Sequence, residues 1–167
     1  VQLPIGAEEG FRGVVDLITQ KAIIYHDDLG REIQDIEIPD GMREEAQKHR
    51  EALIEAISET DDEIMMAYLE GEDIPGETIK TALRRATLSG RIIPILCGSA
   101  YRNKGIQLLL DAVVEYLPSP VDLPPVKGVD PISGDEELRE ARDDEPLAAL
   151  AFKIVADPYV GKLTYFR

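Results

Sequence analysis

One stretch of the sequence, "IIPILCGSAYRNKG", limits the folds open to this chain more than any other. Its first part, Ile92–Cys97, is apolar throughout, which is typical of a strand buried on both faces of a parallel sheet. Gly98, Ser99 and Ala100 then predict a tight turn, and "KGIQLLLDAVVEYLP" predicts a helix. A buried strand, a tight turn and a helix in this order favour an α/β fold, in which ligands bind at the carboxyl ends of strands.

The helix after the small-residue turn has a predicted inner face. Apolar residues recur along it at helical spacing, and they are Ile106, Leu109, Leu110, Val113 and Leu117. In the turn itself, small side chains would let a backbone amide approach a planar base closely. By itself "GSA" is a weak signal, since a plain strand-to-helix turn has the same pattern.

The part of the chain before residue 92 predicts a small antiparallel sheet followed by three helices. Four β-rich segments come first, "VQLPI", "FRGVVDLI", "KAIIYH" and "REIQDIEI", and "DDLG" between the last two has hairpin-turn chemistry. Shorter helices are expected at about 62–70 and 75–89, after a long amphipathic helix. The apolar stripe of that long helix consists of Met42, Ala46, Leu53, Ile54 and Ile57.

Charge differs between the first and third of these helices. The first is dominated by glutamates, whereas the third carries Lys80, Arg84 and Arg85. The two sets of side chains either pair across a surface or are solvated separately.

The segment "GEDIPGET" has the glycine spacing of a phosphate-binding loop, G-x-x-x-x-G-K-[ST]. Glu77 replaces the lysine that this motif requires, and Glu70, Glu72 and Asp73 add negative charge that repels phosphate. The segment also follows a predicted helix rather than a buried strand. We therefore interpret it as a loop between two helices.

Composition restricts the compartment and the partners of the chain. Its 33 acidic and 18 basic side chains give a formal net charge of −15, so counterion release on nucleic acid is not a driving force and a basic partner is the better expectation. Cys97 is the only cysteine, which excludes an internal disulfide and leaves too few soft ligands for a structural zinc site. These features fit a cytoplasmic protein. No apolar run has the length of a membrane-spanning helix, so we expect no membrane partner.

The two ends of the sequence lead us to expect a piece of a longer chain. It begins without an initiator methionine, and the strand-like "KLTYFR" stops without a partner strand. Pro118–Pro131 is proline-rich, which predicts an extended linker, and the acidic "GDEELREARDDE" predicts a loop. From Pro146 onward, a strand, a turn at Asp157–Gly161 and a second strand predict the start of a new β-domain.

Long segments of the chain resemble the elongation factor G family of bacterial translational GTPases. The resemblance rests on "VQLPIGAEEGFRGVVDL", "IIPILCGSAYRNKGIQLLLDAVVEYLPSPVD" and "DEPLAALAFKIVADPYVGKLTYFR", in the family order. Release-factor and ribosome-protection GTPases of the same family remain alternatives. A noncatalytic acidic adaptor that binds basic proteins is an alternative from another class.

The resemblance implies an α/β fold with three parts. Residues 1–91 would be an α+β subdomain inserted in a P-loop GTPase domain. Residues 92–128 would be the last strand and helix of that domain, with a linker. Residues 129–167 would continue the linker and begin a β-barrel second domain.

The resemblance also implies a nucleotide site. The "SA" after the last buried strand is the final guanine-recognition motif of the family, and it corresponds to Ser99 and Ala100 here. The Ala100 backbone N–H would donate to guanine O6, Ser99 would orient the loop, and Tyr101 would flank the base. The larger protein would bind GTP or GDP with Mg²⁺ and hydrolyse GTP during ribosomal translocation.

Other family motifs are missing from these residues, which carry no phosphate loop, magnesium ligand or catalytic histidine. "DDLG" formally matches D-x-x-G, and "NKGI" begins like N-K-x-D but lacks its aspartate. We interpret both as chance matches. The segment alone is therefore expected to be inactive and to bind nucleotide weakly.

The partners implied by the resemblance are the ribosome, ribosomal RNA through other parts of the larger protein, and the lysine-bearing C-terminal domain of the ribosomal stalk protein. Glu44, Glu51 and Glu55 follow one another at spacings of seven and four, with Glu59 close by, so they share the outward face of the first helix. This face is the candidate partner-binding surface. The alternative is a solvated face that keeps the protein soluble. We expect a monomer.

Overall fold

Four short strands at the beginning of the chain form one antiparallel sheet. The computed structural model describes residues 1–167. The strands pair in sequence order and are β1 Gln2–Ile5, β2 Gly13–Asp16, β3 Lys21–Tyr25 and β4 Ile33–Glu37. The predicted sheet and the hairpin turn at "DDLG" are therefore confirmed.

The central strand β2 explains why the sheet is covered on both faces. Val14 and Val15 point to opposite faces because side chains alternate along a strand, and both are fully buried. Val15 packs with Ala46 of the first helix, whereas Val14 packs with Phe11 and Tyr25.

Four helices follow the sheet and confirm the predicted helical segments: α1 Arg43–Ser58, α2 Asp62–Glu70, α3 Gly76–Leu88 and α4 Ile106–Tyr116. The segment "GEDIPGET" joins α2 to α3, as predicted, and its last three residues enter the first turn of α3. Gly71 ends α2 at a φ of +71°, the left-handed conformation that glycine commonly provides after a helix.

The helices share one hydrophobic core. Its largest fully buried side chains come from α1, α2 and α3, and they are Ile57, Ile64, Ile79 and Leu83. Ala112 and Tyr116 of α4 belong to the same core. Because α4 packs on helices from the first part of the chain, Val1–Leu117 forms one compact unit.

The predicted strand at Ile92–Cys97 is not formed in this chain. The segment has no regular secondary structure and no ladder partner, which a strand requires to satisfy its backbone N–H and C=O groups. Ile92 and Leu96 pack against the core of the helices, whereas Ile93 and Ile95 are 82% and 74% exposed. Burial on both faces is therefore wrong for this structure.

The predicted inner face of α4 is also wrong. The residues in contact with the core are Ala112 and Tyr116, while four of the five predicted residues are exposed, namely Leu109, Leu110, Val113 and Leu117. The helix is apolar on more than one side, so the apolar pattern alone does not identify the side that packs on α3.

Pro118–Arg167 is the second compact unit and consists of two antiparallel hairpins. The first pairs β5 Val126–Val129 with β6 Glu136–Arg139, so the predicted linker and acidic loop both contain strand residues. The second pairs β7 Ala151–Asp157 with β8 Gly161–Phe166 and confirms the predicted strand, turn and strand. The Asp157 carboxylate accepts from the backbone N–H groups of Tyr159 and Val160, at 2.8 and 2.9 Å, which closes that turn.

Contacts within the chain divide it after Leu117. The predicted limits at residues 91 and 128 refer to the domains of a larger protein, and they stay predictions.

Candidate base-recognition loop

The candidate site is the loop Gly98–Gly105, between the segment Ile92–Cys97 and α4. Ser99 and Lys104 exchange two backbone hydrogen bonds across it, at 2.8 and 3.1 Å. Ala100–Arg102 forms one 3-10 turn, and the backbone reverses direction at Asn103, which has a φ of +52°. The loop is therefore closed by its own backbone.

Two glycines make this closure possible. A Cβ atom on Gly98 would lie 2.8 Å from the Lys104 carbonyl oxygen, and one on Gly105 would lie 2.7 Å from the Cys97 carbonyl oxygen. Gly105 also has a φ of +84°, which side-chain-bearing residues rarely adopt. The base of the loop consequently has room only for glycine at both positions.

The three residues implied by the family resemblance are consecutive in this loop. The Ala100 residue is exposed, and its backbone N–H begins the 3-10 turn, where no carbonyl within the turn can accept from it. No other protein group accepts from this N–H. Tyr101 is 100% exposed, and Ser99 orients the turn by accepting from the backbone N–H of Arg102 at 3.1 Å. The loop thus presents a backbone donor beside an aromatic ring.

Residues that sequence reasoning missed support the loop from the sheet side. Asn103 donates to the Leu29 carbonyl at 3.3 Å, and Gln107 donates to the Gly30 carbonyl at 3.1 Å. "DDLG" and "NKGI", both interpreted as chance motif matches, therefore contact each other. The signal in the sequence was the pair of turn-forming segments, but nothing in the sequence shows that they meet.

A half-buried thiol and a buried phenol lie next to the loop. Cys97 packs against the cluster of Phe11, Val14, Ile23 and Tyr25, which agrees with its interpretation as a packed thiol, and burial raises the pKa of that thiol. Burial also raises the pKa of the Tyr25 hydroxyl, and the nearby Gly105 backbone N–H, which does not reach hydrogen-bond geometry, lowers it in part. Both groups are accordingly neutral near pH 7.

The acidic face of α1 is separate from the loop. Its predicted members are all exposed, and they are Glu44, Glu51, Glu55 and Glu59, the last of which follows the end of α1. Gln47 donates to the Glu51 carboxylate at 2.9 Å. None of the four carboxylates takes part in an ion pair.

The basic residues of α3 do not pair with this face. Lys80 lies 3.3 Å from a carboxylate oxygen of Glu115, and Arg85 pairs with Asp61. Arg84 donates to the Glu115 carbonyl at 2.6 Å, near the end of α4, where a cation is favoured by the helix dipole. No ion pair in this chain therefore involves the acidic face of α1, and the one basic contact is the Arg91 guanidinium, which donates to the Glu59 backbone carbonyl at 3.3 Å.

Comparison with known proteins gives a limited result. No family model matches the sequence. A crystal structure of a protein from Thermus thermophilus is similar to this chain with a TM-score of 0.73 and 29% sequence identity. The similarity covers 100% of this chain and 22% of that one, so the present chain spans about a fifth of the length of its structural neighbour.

No helix of the structure combines the length and the apolar character needed to cross a membrane.

Proposed function

We propose that this chain is a segment of a translational GTPase of the elongation factor G kind, and that Gly98–Gly105 is its last guanine-recognition loop. Three segments in family order support the proposal, as does similarity to a fifth of a much larger protein. In the larger protein, residues 92–128 would end the GTPase domain and residues 129–167 would begin a β-barrel domain.

The observation that carries this proposal is the unused backbone N–H of Ala100. It lies at the start of an exposed turn whose conformation is determined by the Ser99–Lys104 backbone pair. Because the Ala100 N–H has no acceptor within the protein and a defined direction, it can donate a hydrogen bond to a carbonyl oxygen on a planar ligand. Guanine O6 is such an acceptor, whereas adenine presents an amino group at the same position.

These residues fit the base of a nucleotide but not its phosphates. Ala100 would donate to O6, Tyr101 would cover one face of the ring, and Ser99 would maintain the turn. The phosphates of a nucleotide require cationic side chains and a cradle of backbone N–H groups. The segment "GEDIPGET" does not offer such a site, because its own residues Glu72, Asp73 and Glu77 are negatively charged. Bound GTP with Mg²⁺ would supply the phosphoryl group, and hydrolysis would depend on other parts of the larger protein.

Ala100→Pro in the intact protein tests this function. Ser99 has φ and ψ of −124° and 97°, a conformation that the residue before proline accepts, and proline suits the first position of a helical turn. The substitution therefore removes the donor without breaking a hydrogen bond of the loop. We expect GDP and GTP to bind about tenfold more weakly, since an unsatisfied buried acceptor costs about 1–3 kcal/mol.

Ala100→Ser is the matched control because it keeps the backbone N–H. Its affinity for GDP, measured with a fluorescent nucleotide, should stay within about twofold of the parent. Equal affinities for the parent and Ala100→Pro would show that this loop does not recognise guanine.

We also propose that Glu44, Glu51, Glu55 and Glu59 form the surface that contacts the lysine-bearing domain of the ribosomal stalk. Because the four side chains are exposed and form no ion pair, their charge is available to a basic partner. Exposed pairs contribute about 0.2–1 kcal/mol each, so the contact would be weak and would act mainly on the rate of encounter.

A further inference from the structure

The base-recognition loop is held by the turn between β3 and β4. We infer that this turn, Asp27–Gly30, positions the loop for nucleotide binding, with Asn103 and Gln107 as positioning residues; the inference rests on the proposed function of Ala100. A turn in the first part of the chain would thereby set the affinity of a site that lies about seventy residues later in the sequence.

Two side-chain hydrogen bonds join the turn to the loop and to the first turn of α4. The Asn103 amide donates to the Leu29 carbonyl at 3.3 Å, and the Gln107 amide donates to the Gly30 carbonyl at 3.1 Å. Asn103 is the residue at which the loop reverses direction, with a φ of +52°. Its side chain therefore links the residue with the least favourable backbone conformation of the loop to the Leu29 carbonyl, which lies outside the loop.

Close packing at Gly30 reinforces these hydrogen bonds. A Cβ atom there would lie 2.3 Å from the Asn103 carbonyl oxygen and 3.0 Å from the Arg102 carbonyl oxygen. The turn and the loop thus touch backbone to backbone, at a distance that only glycine permits. Any movement of the turn toward the loop would displace the peptide groups that follow Ala100 and Tyr101.

The turn is itself well braced. The Asp27 carboxylate accepts from the backbone N–H groups of Arg31 at 2.8 Å, Glu32 at 3.0 Å and Leu29 at 3.2 Å. These three bonds hold the Leu29 and Gly30 carbonyls in place as acceptors. The turn that supports the loop therefore has its own conformation defined by three hydrogen bonds to one carboxylate.

A third contact comes from another connection at the same end of the sheet. Arg102 donates to the Glu9 carbonyl at 3.1 Å, in the connection between β1 and β2. Together the contacts hold Arg102, Asn103 and Gln107 and leave the Ala100 N–H and the Tyr101 ring exposed. The loop is thus fixed by its second half, and its first half faces the ligand.

Gly30→Ala in the intact protein tests the inference, with Gly71→Ala as its control. Gly30 and Gly71 have similar positive φ angles, +62° and +71°, but a Cβ on Gly71 meets nothing within 4 Å. Both variants therefore place an alanine at a similar positive φ, and only in Gly30→Ala does the added Cβ clash with the loop. We expect GDP release to be about 3–10-fold faster in Gly30→Ala than in Gly71→Ala, the change that follows from losing about one hydrogen bond.

Asn103→Gly is the second variant and does not depend on Gly30→Ala folding normally. Glycine keeps the left-handed conformation at position 103 and removes the side-chain donor to Leu29. Its GDP release should also be about 3–10-fold faster than that of the parent.

Base discrimination separates positioning from general destabilisation. The parent should prefer GDP to an analogue in which an amino group replaces O6, and this preference should fall in Gly30→Ala, Asn103→Gly and Ala100→Pro but not in Gly71→Ala. If Ala100→Pro alone lowers the preference, the positioning inference is overturned while the proposed function stands. If none of the four variants lowers it, the proposed function fails, and the inference fails with it.

Discussion

Arg50 lies on the buried stripe of α1, between Ala46 and Ile57, and is only 8% exposed. Its guanidinium donates to the carbonyls of Leu17 and Ile18 at 2.6 and 2.8 Å, and to that of Ile74 at 3.3 Å. Backbone dipoles, rather than a carboxylate, therefore compensate its desolvation. The residue joins α1 to the turn after β2 and to the loop before α3.

Replacing Arg50 by methionine should lower the free energy of unfolding by about 2–4 kcal/mol, because buried carbonyl groups lose a charged donor. Urea unfolding followed by circular dichroism measures the change. Arg43→Met is the control, since the Arg43 side chain is 64% exposed and pairs with Asp40 at 3.1 Å. That variant should lose less than about 1 kcal/mol. Similar losses in the two variants would contradict the structural role assigned to Arg50.

Among the elements of the chain, the turn Asp27–Gly30 both contributes to the stability of the fold and contacts the candidate site. Hydrogen bonds from the backbone N–H of Glu32, and also from those of Arg31 and Leu29, lower the pKa of the Asp27 carboxyl. A carboxyl whose pKa is lower in the folded chain than in the unfolded chain stabilises the fold at pH values above its ordinary pKa of about 3.9. This contribution is lost as the pH falls through the lowered pKa of the folded chain.

Asp27→Asn should therefore reduce stability more at about pH 6 than at about pH 3, which is below the ordinary carboxyl pKa of the unfolded chain. The measurement is the difference in unfolding free energy between parent and variant at the two pH values. Asp35→Asn, on exposed β4, is the control, because the Asp35 carboxylate accepts no backbone hydrogen bond and its variant provides the baseline at each pH. A parent-to-variant difference that stays constant with pH would refute this role of Asp27.

For the molecule as a whole, the net charge of −15 favours basic partners, but only the surface distribution decides where they bind. The acidic face of α1 is one candidate. The groove beside α2 is another strongly acidic region, lined by Glu63, Glu70, Glu72 and Asp73. Reversing two glutamates on either face changes the net charge by the same amount, so the effects of the two reversals on binding can be compared directly.

Reversal of Glu51 and Glu55 to lysine should slow association of the proposed partner, the stalk domain, several-fold at low salt, because charge steers the encounter. The difference should disappear near 1 M salt, where the Debye length is about 3 Å. Stopped-flow association rates with the intact protein measure both effects. Reversal of Glu63 and Glu70 changes the net charge equally and should have a smaller effect. A larger effect from the α2 reversal would assign the contact to α2 instead.

The sequence by itself determined the local elements in the part of the chain before residue 92. The β-rich segments, the helical periodicity and the turn chemistry at "DDLG" depend on interactions between near neighbours, and all three predictions are confirmed. The glutamates of α1 were likewise predicted to be exposed, and they are. Helical spacing alone is enough for that result, because it separates the polar face from the apolar stripe.

Only the tertiary structure decided which apolar face is covered and which distant groups meet. Ile92–Cys97 has the composition of a buried strand, yet a strand needs neighbours that composition does not supply. On α4, contact with α3 selects Ala112 and Tyr116 from a helix that is apolar on several sides. The contact of Gly30 with Asn103 joins two turns that are far apart in sequence, and local propensity carries no information about such a pairing.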